Sequence, residues 1–76
     1  MISMDKMKVG EIAEVKEIKT RGAMRRRFLD LGLIQNTEIE CVGISVGGDP
    51  SAYLIRGAVI AIRNDDASKI NVELLN

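Results

Sequence analysis

No histidine and no tryptophan occur in these 76 residues, and there is a single cysteine, a single proline, one tyrosine and one phenylalanine. Without an imidazole, nucleophilic sites built on a histidine base are excluded. One thiol can form neither an intrachain disulfide nor a cysteine-rich zinc site, and a lone cysteine suits a reducing, cytosolic compartment. Two aromatics give no platform for stacking nucleic-acid bases, and no aromatic-lined groove of the kind that binds proline-rich peptides. Neither charge sign is in excess, with eleven Lys and Arg against eleven Asp and Glu, which argues against nucleic-acid binding by bulk charge. Also missing are an apolar run near the ~18 residues needed to span a bilayer and a secretory-type hydrophobic stretch in Met1–Lys6. A glycine-rich phosphate loop is absent too, so GTP hydrolysis by this chain is not expected.

What remains is an ordinary globular composition. Apolar residues make up 46% and charged residues 29% of the chain, enough for one small core and one domain over residues 1–76. A domain of this size has a stability of about 4–11 kcal/mol, which leaves little for an elaborate buried active site.

The apolar pattern predicts short strands around one helix. In segment 11–18, Ile12, Val15 and Ile18 fit a helical spacing. The preceding Gly10, the alternation of Ala13 and Val15 with charge, and the short length favour a strand. The spacing of Met24, Phe28 and Leu31 predicts a helix from Ala23 to Leu31. Gly32 stands where a left-handed residue closes a helix, with Leu33 packing back, and Gln35-Asn36 follows as a turn.

From Thr37 to Cys41 the alternation places Ile39 and Cys41 inward and both glutamates outward, in a strand continuing to Val46. Gly47-Gly48-Asp49-Pro50 breaks it. Residues 53–56 and 59–63 read as a hairpin closed by Gly57-Ala58, Asn64 caps a short helical turn through Ala67, and Ile70, Val72 and Leu74 alternate as a last strand. The expected fold is mainly β, a small closed or nearly closed barrel of about five strands with one inserted α-helix. Closure would remove exposed sheet edges.

Charge is the most unusual local feature. Lys19, Arg21, Arg25, Arg26 and Arg27 occur without an acid before Asp30, and removing these five leaves six cations against eleven anions, net −5. The first turns of a helix disfavour cations by ~0.3–1 kcal/mol each, so arginines there are candidates for contact with an anionic partner rather than for stability. A solvated face whose arginine stems cover the core rim is the competing reading. An acidic surface on a partner protein fits better than nucleic acid or free phosphate. The candidate partner-contacting residues are Arg21, Arg25, Arg26 and Arg27, with Asp49 of the Gly-Asp-Pro loop. Reversing Arg25, Arg26 and Arg27 together is expected to abolish partner binding with stability nearly unchanged.

No cofactor is implied, and no catalytic residue. Asp49, Asp65 and Asp66 are hard oxygen donors that admit weak divalent-metal association, without the spacing of a known loop. Cys41 faces inward as a small core residue.

The string Met24-Arg25-Arg26-Arg27-Phe28-Leu29-Asp30-Leu31-Gly32-Leu33-Ile34 resembles the helix-and-exit signature of the ferrous iron transport protein A (FeoA) family. Gly10-Glu11 and Ala13 resemble the start of that family's first strand, and Thr37–Glu40 and Gly48-Asp49-Pro50 its next strand and loop. Arg56-Gly57, Ile60–Arg63 and Ala67–Ile70 resemble its C-terminal hairpin and tail. Two departures stand out: Gln35-Asn36 where Pro-Gly is common, and Ala58 where an aromatic is frequent.

The resemblance implies an SH3-like barrel with an inserted helix. It also implies a cytosolic, non-enzymatic accessory of ferrous iron uptake, peripheral to the membrane through its partner, the GTPase-permease FeoB. Similar SH3-like domains end the iron-dependent repressors, which supplies an alternative reading: a metal-responsive regulatory domain that binds a transition metal ion directly.

Overall fold

The computed structural model describes residues 1–76 in full. Six antiparallel strands form one sheet: β1 (Ile2–Ser3), β2 (Ile12–Ile18), β3 (Glu38–Ile44), β4 (Ser51–Ile55), β5 (Ala58–Ile62) and β6 (Ile70–Leu74). Helix α1 (Gly22–Asp30) is inserted between β2 and β3, the short α2 (Asn64–Ala67) links β5 to β6, and a 3₁₀ turn spans Met4–Lys6. The spatial order is β1-β6-β2-β3-β4-β5. The expected small barrel-like β fold is found, in its nearly closed form: the coiled sheet stays open, with β1 and β5 as its edges. Register shifts between Val15 and Glu17 and between Cys41 and Gly43 supply the bends, because an extra residue in one strand increases local twist.

The core is one cluster. Its largest fully buried side chains include Tyr53, Met4, Leu33, Ile39, Ile55 and Ile70, and Phe28 joins it from α1. As expected, Ile39 and Cys41 point inward, while Glu38 is exposed and Glu40 half-buried. The last strand departs from its pattern, since Ile70 and Val72 are buried but Leu74 is exposed. β5 is an apolar run that buries only Ile62.

Met4 and Met7 are both buried in the core. Burying Met4 requires the chain to fold back over the sheet, and the Tyr53 hydroxyl fixes that segment by donating to the Met4 carbonyl at 3.2 Å.

Burial pushes the Tyr53 phenol from 10.0 up to about 12, since a low-dielectric surrounding disfavours the charged form. Below pH 10 folded and unfolded chains both keep the proton. Between pH 10 and about 12 the unfolded chain loses it first, so stability is lost as pH rises through this window. Urea midpoints measured from pH 9 to 12 are expected to fall in wild type, and less steeply in Tyr53→Phe. Parallel slopes would contradict the assignment.

Two turns differ in detail from the sequence reading. The β4–β5 loop is Arg56-Gly57, one residue earlier than expected, with positive φ at both residues (49° and 84°). That is the mirror-image turn whose twist matches a right-handed hairpin. At α2, Asn64 does not cap with its own side chain. The Asp49 carboxylate, fifteen residues away, accepts the Asn64 backbone N–H at 3.0 Å, and the Asn64 amide donates to the Gly48 carbonyl at 2.8 Å.

Candidate functional site

The site follows from how α1 is tethered. At its C-terminus, Gly32 takes φ 89°. The Leu33 N–H then reaches the Phe28 carbonyl at 2.9 Å and the Gly32 N–H the Leu29 carbonyl at 3.0 Å, the paired bonds of a glycine-terminated helix. A Cβ at position 32 would collide with the Arg56 side chain, whose Nε donates to the Gly32 carbonyl at 3.3 Å. The exit loop continues onto the sheet: Thr37 Oγ1 donates to the Gly32 carbonyl at 3.1 Å, and the Asn36 N–H to the Val15 carbonyl at 2.6 Å. Asn36, at φ 71°, takes the left-handed turn position expected of it.

At the N-terminal end the anchor is Arg25. Its Nη1 donates to the Ile18 carbonyl at 2.9 Å and the Thr20 carbonyl at 3.4 Å, binding the helix to the end of β2. This corrects the expectation that all three central arginines are dispensable for stability. Arg25 holds the helix in place and displays charge at once. The dipole argument is corrected as well: in a helix running Gly22–Asp30, Arg27 falls in the last turn, where cations are favoured, and only Arg21 and Arg25 sit at the unfavourable end.

The four arginines are all exposed, but they are spread around the helix over three adjoining depressions rather than gathered on one face. Arg21 and Arg25 line a shallow cleft of about 730 Å³ with Glu17, Lys19 and Thr20. Arg25 and Arg26 share the neighbouring depression with Leu29 and Asp30. Arg27 lines a groove of about 330 Å³ between α1 and β5, floored by Met24, Phe28, Leu31, Ile60 and Ile62. The protein's ion pairs are those of Lys16 with Glu14 and Glu73, so none of these arginines has an internal carboxylate partner. Thr20, at the foot of the helix, is 3% exposed and its hydroxyl has no partner.

Asp49 lines none of these depressions. It belongs to the β3–β4 loop, where its carboxylate is engaged by Asn64. The groove beside Arg27 was not legible in the sequence, because it arises where β5 approaches the helix; the apolar run 58–62 was the only signal.

As for metals, no three His, Cys, Asp or Glu side chains gather anywhere in the chain. Asp66 lies at the rim of the α1–β5 groove. Cys41 is buried, and desolvation raises its thiol above the usual range, which keeps it protonated and a poor ligand. The donors present do not fit a transition-metal centre.

A family model described as the FeoA domain matches residues 2–74. A Porphyromonas gingivalis protein, an Fe(2+) transport protein A/Fe(2+) transporter FeoB fusion, is 30% identical over 73 residues, which is 96% of this chain but 9% of that protein. The solution structure of a FeoA protein from Chlorobium tepidum superposes with a TM-score of 0.93 at 29% identity, covering 99% of this chain and 71% of that one. FeoA of Stenotrophomonas maltophilia, described as an SH3 domain protein and solved with zinc, has a TM-score of 0.84 at 22% identity, over 96% of this chain and 91% of that one. At that identity the likeness establishes the shared fold alone.

Proposed function

Because this chain belongs to the FeoA domain family, which is linked to ferrous iron transport, we propose that it is a non-enzymatic accessory, a single FeoA-like unit over residues 1–76, that binds the permease FeoB at its cytosolic face. The relative that joins both components in one polypeptide supports the choice of partner, since fused components work side by side. The observation that carries the reading is the set of arginines on α1 without internal counter-ions. Exposed charge of one sign, held on a helix tethered at both ends, suits recognition of an acidic surface, where it sets encounter rate and orientation. No helix of this chain is long and apolar enough to cross a membrane, so contact with the bilayer would come through the partner.

Nothing in the side-chain inventory supports turnover. There is no histidine, the one thiol is buried and protonated, and the largest cleft is open, with charged Glu17, Lys19, Arg21 and Arg25 among its lining residues. The metal-responsive alternative has less behind it, because the acidic residues do not assemble into a ligand set.

The test spares the anchoring arginine. Arg26→Glu combined with Arg27→Glu is expected to weaken co-purification with the detergent-solubilised cognate permease about tenfold or more. Unfolding free energy should change by no more than about 0.5 kcal/mol, as for exposed substitutions in general. Undiminished binding by the double variant would rule out the basic helix as the contact.

A further inference from the structure

The free edge of β5 stands beside the same helix. Its strand, Ala58-Val59-Ile60-Ala61-Ile62, is bonded to β4 on one side and to no strand on the other. The two-residue turn makes Ile55 and Ala58 a mutually bonded pair, and in an antiparallel ladder such pairs alternate with non-bonded ones. Tyr53 with Ile60 and Ser51 with Ile62 are then bonded, and the N–H and C=O groups of Val59 and Ala61 turn outward.

Natural edges are usually guarded by lysine, proline, a bulge or extreme shortness. β5 has none of these: it contains no charged residue and no proline, and both register shifts of the sheet lie elsewhere. Val59 is 66% exposed. The opposite edge, β1, is only two residues long and offers no comparable template.

The apolar groove runs along this edge, with Met24, Phe28 and Leu31 on one wall and Ile60 and Ile62 on the other. Arg27 and Arg63 stand at its rim against a single acid, Asp66, and Arg56 occupies the turn that begins β5. None of the three arginines is ion-paired. An exposed strand edge gives main-chain bonding, and a neighbouring groove reads alternate side chains of an added strand.

We propose that β5 and the α1–β5 groove accept an extended segment of the permease as a seventh strand, its apolar side chains entering the groove and flanking acidic residues meeting Arg27, Arg56 and Arg63. This rests on the partner reading above and assigns it a mode of attachment. A basic segment would be repelled by the same three cations, and a second copy of this chain would bring those cations with it.

The experiment is amide hydrogen exchange on the full chain, alone and bound to the cognate permease, with Ala61→Pro as a companion variant. The outward amides of Val59 and Ala61 are expected to exchange readily in the free chain and to slow about tenfold or more in the complex. Ala61→Pro removes one outward donor at an edge position that tolerates proline, and is expected to weaken binding by a similar factor.

If wild type binds while both amides stay unprotected and Ala61→Pro binds equally well, the added strand is overturned and the partner reading stands. If wild type fails to bind the permease at all, both fall together. Protection that appears without permease and grows with protein concentration would assign the edge to a second copy and overturn the proposal. Because the exchange readout uses wild type, it decides the matter even if the proline variant fails to fold.

Discussion

Truncating Tyr53 to alanine is expected to destabilise the protein by about 3–5 kcal/mol, the range for removal of a large aromatic from a packed core. Tyr53 is fully buried on β4, beside the edge strand β5, and it is one of only two aromatics in the chain. A domain of this size holds only about 4–11 kcal/mol in total, so a large fraction of the variant should be unfolded at 37 °C. Tyr53→Phe isolates the hydroxyl: it keeps the ring but strands the Met4 carbonyl that the phenol satisfies, a cost of about 1–3 kcal/mol. Urea denaturation followed by circular dichroism gives both values. A loss below 1 kcal/mol for the alanine variant would mean that the core collapses around the gap far better than its packing suggests.

Replacing Phe28 with alanine should have a comparable energetic effect but a different pattern. Phe28 is the only fully buried residue of α1, with Met24 and Leu31 merely half-buried beside it. Its ring is thus the main apolar tie between the helix and the sheet, and its loss costs about 3–5 kcal/mol if the structure does not relax. Release of the helix sets a lower route. Segment 22–31 should then lose exchange protection while β2, β3 and β4 keep theirs, since local opening needs less free energy than global unfolding. Binding to the permease should fall with it, because an undocked helix no longer holds Arg26 and Arg27 in register. Uniform loss of protection through every strand would show instead that helix and sheet form one cooperative unit.

The helix and its exit were readable in the sequence because their signals are local. The Met24–Phe28–Leu31 stripe, the left-handed Gly32 and the tolerance of Asn36 for positive φ all act within a turn or two of chain. The inward placement of Ile39 and Cys41 was equally readable, since alternation on a half-buried strand needs no partner to be recognised. What escaped depends on distant chain. Ile2–Ser3 is a strand only because Val72 and Asn71 lie beside it, and two residues carry no periodicity. Arginine seldom adopts positive φ, so nothing local marks Arg56 as a turn residue, and the pattern alone puts glycine first in the loop. The helpers of α1 and α2 are remote as well: Arg25 reaches back to Ile18, and Asp49 reaches forward to Asn64. For the site, the composition of the basic helix was visible, whereas the groove beside it exists only once β5 is in place.

Pairing of Ile2 with Val72 and of Ser3 with Asn71 also bears on how the protein comes into being. A ribosome releases these partners about seventy residues apart, so the first must wait for the second before their ladder can form. Hairpin β4–β5 and the α1 turn can organise early from nearby residues, whereas the β1–β6 seam needs closure of a loop of about seventy residues, an entropic cost that grows slowly with length. Folding dominated by such distant pairings is expected on a millisecond-to-second scale rather than in microseconds. Until then Met4 has no core to enter, and the nascent polypeptide displays apolar surface that the finished molecule conceals.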